Sequence, residues 1–195
     1  MAAPTATARV PMLGEDEARR LGKEHGVPSS MAPLNVFRVM LNHPVMAGSV
    51  SGLLANLLYR ANKLNGTLRE LIIMRIGWRT GAMYEWTQHW RVCMNMNIPA
   101  DLVLAVRAWP NATNLTDAQR AVLAATDETL DGGSISDATW AECCKHLVTQ
   151  EERIEMVLAI SNWRTFSELL QSLKIPLEEG IEPWLPDGEK PPAAE

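Results

Sequence analysis

The chain has 195 residues, 47% of them hydrophobic, and a formal net charge of −5. That length and apolar content suit one domain, or two small halves sharing a core. The acidic balance disfavours nucleic acid and anionic membranes as partners, and no run approaches the ~20 apolar residues of a membrane span.

Residues 1–14 are small, polar and Pro-bearing, and read as a flexible arm. MAAPTATARVPMLGEDEARR has no basic segment followed by an apolar stretch, so it does not read as a signal peptide. Three cysteines, Cys93 and the adjacent Cys143 and Cys144, cannot make a disulfide framework. A reducing, cytoplasmic setting is the expectation.

Helical patterns then follow one another over 15–25, 34–42, 46–62, 68–79, 82–96, 100–108, 117–131, 137–146 and 150–173. Thr67-x-x-Glu70, Thr116-x-x-Gln119 and Thr149-x-x-Glu152 fit capping boxes, in which a threonine oxygen and an acid or amide satisfy free backbone N–H groups. Asn65-Gly66 and Gly132-Gly133 interrupt the pattern, and no strand signal is present. Residues 15–175 are therefore expected to form a single all-α domain. Residues 176–195 form a tail, whose end, PWLPDGEKPPAAE, contains four prolines and reads as extended.

Residues 70–80, ELIIMRIGWRT, align without gaps to 155–165, EMVLAISNWRT. Glu70, Trp78, Arg79 and Thr80 meet Glu155, Trp163, Arg164 and Thr165, as an internal helical repeat would make them. The alternative is chance agreement between amphipathic helices. On the repeat reading, Trp78 and Trp163 are equivalent core anchors.

The segment 68–79 is apolar nearly all round, the mark of a buried helix, and Glu70 and Arg75 interrupt it. Glu70 reads in two ways: as the capping acid of Thr67, and as a buried carboxylate with a raised pKa. In the next helix Glu85, His89 and Cys93 are spaced i, i+4, i+8 on one face, with Trp86 and Trp90 as a second stripe. A Glu–His pair at this spacing can share a proton near neutral pH. The bland alternative is a surface pair beside core tryptophans. No third ligand and no H-E-x-x-H pattern accompany the pair, so neither metal nor cofactor is expected. Cys93 reads as a small buried residue, and His25, His43 and His146 as residues without a role. Seven tryptophans against two Phe and two Tyr suit either a planar-substrate pocket or core packing.

LNVFRVMLNHP, TLRELIIMRIGWRTGAMYEWTQHW, the Pro-Ala-Asp-Leu helix, LTDAQRAVLAATDETL and SISDATW together resemble the carboxymuconolactone decarboxylase family over roughly residues 30–175. The resemblance implies an AhpD-like all-α bundle of repeated helical units, forming homo-oligomers, commonly trimers or hexamers. In the AhpD branch, a Glu, a C-x-x-C and a His carry thiol chemistry. Laid on this chain, the Glu falls on Glu70 and the His on His89, but the cysteines fall on Ala82 and Glu85, which cannot exchange disulfides. The decarboxylase branch carries a Glu and a His at the spacing of Glu85 and His89. It implies decarboxylation of a small γ-lactone acid by Glu70, Glu85 and His89. Arg75 or Arg79 would hold the substrate's carboxylate or lactone oxygen, and Tyr84, Trp86 and Trp90 would line the pocket. The YEWTQH core and the Pro-rich tail depart from that branch and resemble family members without an established substrate. A non-catalytic small-molecule-binding or scaffold member is the alternative.

Overall fold

The computed structural model describes residues 8–60 and 62–192. Residues 1–7 of the expected arm, Ala61 at the end of the expected helix 46–62, and 193–195 of the tail lie outside the described residues. Nine α-helices occur among them: α1 (Glu15–Glu24), α2 (Asn35–Met40), α3 (Pro44–Leu58), α4 (Gly66–Thr80), α5 (Met83–Asn95), α6 (Ala100–Ala105), α7 (Asp117–Gly132), α8 (Asp137–His146) and α9 (Gln150–Ser172). A 3-10 turn, Val106–Asn111, follows α6, where Pro110 and a non-helical Ala108 end regular winding. The chain divides into two compact units, one of Met1–Ala61 with Leu169–Ile181, the other of Asn62–Glu168 with Glu182–Glu195.

In the first unit α1, α2 and α3 pack on one another. Asn35 donates from its side-chain amide to the carbonyls of Pro176 and Leu177, and its backbone N–H goes to Glu178. The segment before α1 is also held, because Arg38 donates to the Leu13 carbonyl and Asn42 to that of Pro11.

The second unit is built around α4, which packs against α5, α7 and the 3-10 turn. Every residue from Leu68 to Trp78 is buried, as its all-round apolar sequence requires. The helix starts differently from the expected capping box. Asn65 is the N-cap, accepting from the backbone N–H groups of Thr67 and Leu68. Glu70 is thereby left free of capping and turns inward. The boxes at Thr116/Gln119 and Thr149/Glu152 form as expected. Gly81 ends α4 at φ 68°, where a side chain would be strained. A Cβ on Gly77 would stand 3.1 Å from the backbone nitrogen of Trp86, so this glycine sets how closely α4 approaches α5.

Arg75 ties α4 to α7. Its Nε and Nη2 donate to the two oxygens of Asp127 at 2.7 and 2.8 Å, while Nη1 donates to the carbonyls of Val106 and Arg107. Asp127 also accepts from Trp109 Nε1 at 2.8 Å and pairs with Arg79. The described part of the tail is packed on this unit. Trp184 is buried against Trp78 and Trp86, Trp86 Nε1 donates to the Leu185 carbonyl at 2.7 Å, and Arg107 pairs with Asp187 and Glu189. The Arg107 guanidinium lies 4.7 Å from the Trp78 ring centroid and 5.0 Å from that of Trp86, within cation–π range.

The segments aligned as a repeat have unlike surroundings. Glu70 binds a histidine, whereas Glu155 accepts the backbone N–H groups of Lys63 and Leu64. Trp78 belongs to the aromatic cluster, whereas Trp163 donates its N–H to His89. Sequence identity at these positions therefore does not extend to equivalent roles.

Candidate active site

Three helices of the second unit bring a buried polar cluster together. α4 supplies Arg69 and Glu70, α5 supplies Glu85 and His89, and α9 supplies Trp163. The i, i+4 spacing on α5 sets Glu85 Oε1 3.3 Å from His89 Nε2. From the other side Glu70 Oε2 lies 2.7 Å from His89 Nδ1, and Arg69 Nε donates to Glu70 Oε1 at 3.1 Å. Trp163 Nε1 stands 3.2 Å from His89 Nε2, with the two rings edge to face. His89 is 9% exposed and Glu70 not at all, so these charges are held largely by one another rather than by water.

Burial works to raise the Glu70 pKa, but His89 and then Arg69 outweigh it and hold the carboxyl below the usual range. This reverses the raised pKa expected of a carboxylate in an apolar helix. Burial likewise works to lower the His89 pKa. Glu70, and after it Glu85, overcome this and push it up to about 10. With His89 protonated the cluster balances: Arg69 and the imidazolium together match the Glu70 and Glu85 carboxylates in charge.

The other expected site residues lie elsewhere. Arg75 and Arg79 are roughly 140° and 180° around α4 from Glu70 at about 100° per residue. Their donors go to Asp127, Asp131 and backbone carbonyls. The arginine at the cluster is Arg69, whose place directly before Glu70 was its only sequence signal. Trp86 is in the aromatic core, with its N–H on the tail, and Trp90 joins the same core cluster; Tyr84 is buried near the start of α5. Trp163 is visible in the sequence only as a repeat anchor.

Cys93 is fully buried, and burial, reinforced by Glu70, pushes its thiol far above the usual range. It is a thiol and not a thiolate at neutral pH, so it cannot replace a redox pair. Burial pushes Cys143 up to about 11. Among the described residues no group of three or more His, Cys, Asp or Glu side chains is arranged to hold a metal ion, and no helix is long and apolar enough to cross a membrane.

Residues 44–128 match the model of the carboxymuconolactone decarboxylase family. The match spans α3 to α7 and includes Arg69, Glu70, Glu85 and His89. No curated protein matches the chain. Among solved structures, an uncharacterised peroxidase-related protein with an alkylhydroperoxidase AhpD core from Ralstonia eutropha shares 15% identity and a TM-score of 0.74, over 92% of this chain and 96% of its own. The debrominase Bmp8 shares 18% identity and a TM-score of 0.72, over 86% of this chain and 91% of its own. A putative antioxidant defence protein AhpD from Agrobacterium tumefaciens shares 18% identity and a TM-score of 0.63, over 70% of this chain and 94% of its own. At such identities the likeness establishes an AhpD-like helical bundle and no more.

Proposed function

We infer from the match of residues 44–128 to the carboxymuconolactone decarboxylase family that the chain is a member of it, and that it is a cofactor-independent acid–base enzyme acting on a small lactone or carbonyl acid. The observation that carries this reading is His89 held between two carboxylates, Glu70 at 2.7 Å and Glu85 at 3.3 Å, with Ala82 and Glu85 where the AhpD branch has its cysteines. A histidine whose proton is shared with a carboxyl is equipped to deliver one proton and recover it. In a decarboxylation the bond from carbon to the substrate carboxylate breaks, CO₂ leaves, and its electron pair enters the lactone as a dienolate. The proton held between Glu85 and His89 passes to carbon, and solvent restores it. Glu70, fixed by Arg69, keeps the imidazole oriented. Arg69, and not Arg75 or Arg79, is the cation at this centre.

A homo-oligomer, trimeric or hexameric, completes the reading. It is supported by the exposed apolar stripe of Ile154, Val157 and Leu158 on α9. The test is CO₂ release from carboxymuconolactone by the purified protein beside His89→Gln. Release in the parent and none in the variant is the expected result, and no release from the parent rejects decarboxylation of this substrate.

The complete burial of Glu70 favours a second reading, a non-catalytic binding or scaffold member in which the cluster is a satisfied polar core. It predicts that His89→Gln alters stability or ligand binding while no member of a lactone-acid panel is turned over by the parent.

A further inference from the structure

We propose that residues 184–189 of the tail are a strap that positions Glu85 against His89, by tying down Trp86 and Thr87 in the first turn of α5. This deepens the reading above and rests on it, because the Glu85–His89 pair is there the one that delivers the proton.

Glu85 lies in the first turn of α5, and Ala82 at the N-cap offers that turn no side-chain acceptor. An uncapped helix start is where regular winding is most easily lost. The tail supplies the restraint instead. Trp86 Nε1 donates to the Leu185 carbonyl at 2.7 Å, and the Trp184 N–H donates to Thr87 Oγ1 at 3.0 Å, so the two residues that follow Glu85 are both held. The Trp184 ring also packs on that of Trp86. Trp184 keeps φ 57°, a left-handed conformation that a bulky residue holds only where its surroundings enforce it. Beyond it, Arg107 Nη1 and Nη2 donate to the two oxygens of Asp187 at 2.8 and 2.9 Å, which clasps the strap a second time.

The two carboxylates at His89 differ in their dependence on this strap. Glu70 comes from α4, lies 2.7 Å from Nδ1 and is fixed by Arg69. Glu85 stands 3.3 Å from Nε2, and a few tenths of an ångström more would take it out of hydrogen-bond range. The other groups facing the histidine are Arg69 of α4, Cys93 further along α5 and Trp163 of α9, and none of them belongs to the first turn of α5. With the strap docked, two carboxylates hold the imidazolium; with it lifted, Glu70 holds it alone.

The experiment is NMR titration of the His89 ring in the full chain. Glu85→Gln should lower the titration from about 10 by about one unit or more, the effect of losing an adjacent carboxylate. Trp184→Ala should lower it by about one unit. The two changes combined should titrate as Glu85→Gln alone, because the strap acts through Glu85. An unshifted His89 in Trp184→Ala overturns the proposal. So does a further fall when Trp184→Ala is added to Glu85→Gln, the mark of a general loosening. Should Trp184→Ala not fold, Thr87→Val, which removes the acceptor of the Trp184 N–H, takes its place under the same two criteria. No substrate enters these measurements, so absent CO₂ release would count against the enzymatic reading and leave the strap standing.

Discussion

Replacing Glu70 by glutamine removes one buried negative charge and keeps the shape of the side chain. The two donors, His89 Nδ1 and Arg69 Nε, go to different oxygens in the parent, so the amide oxygen can keep one of these hydrogen bonds while the charge is lost. Two unit charges with centres about 4 Å apart, at an effective dielectric constant of ~20, attract by about 4 kcal/mol. At about 1.4 kcal/mol per pH unit that is roughly three units. Histidine titration should therefore fall from about 10 in the parent to ~7 in Glu70→Gln. The sign for stability follows. The folded chain retains this proton where an unfolded histidine, with an ordinary value of 6.5, has released it. Its contribution is complete below that value and is lost as pH rises through about 10. Parent stability should decline between these limits, and the decline should flatten in the variant. The assay is NMR titration of the His89 ring, paired with urea unfolding from neutral to alkaline pH. A His89 in Glu70→Gln that still titrates within half a unit of the parent, or an unchanged alkaline decline, would refute the assignment of Glu70 as the dominant partner.

Other outcomes follow from the packing around α4 and α5. Asp127→Ala leaves the buried Arg75 guanidinium and the Trp109 N–H without their acceptor, and should cost about 3–5 kcal/mol in chemical unfolding; a loss below ~1 kcal/mol would show that the pair is not what joins α4 to α7. Trp184→Ala empties its place against Trp78 and Trp86 and should cost about 3–5 kcal/mol, read as a lowered urea midpoint; an unshifted midpoint would mean that the tail is not part of the core. Cys93 should resist iodoacetamide at pH 8 in the folded protein and react once it is unfolded, as followed by mass spectrometry; rapid native-state labelling at Cys93 would revive a thiol role.

Local sequence rules carried a large part of this protein. Period and punctuation placed the helices, because an amphipathic pattern broken by Asn65-Gly66 or Gly132-Gly133 depends only on neighbours in the chain. The Glu85–His89 contact was legible for the same reason, since i and i+4 share a helix face wherever the helix goes. The resemblance supplied Glu70 as the second carboxylate. Tertiary structure decided what arrives from elsewhere. The sequence pointed to Thr67 as the cap of α4, but Asn65 took that role, and Glu70 turned to His89. Arg75, an apparent ligand for a substrate anion, found Asp127 fifty-two residues away. Trp86, an apparent pocket wall, was covered by Trp184 from the tail. Trp163 reached the histidine from seventy-four residues along the chain. A side chain's charge and shape are written in the sequence, but the partner that satisfies a buried charge or donor is chosen by packing over long separations, and no local pattern encodes that choice.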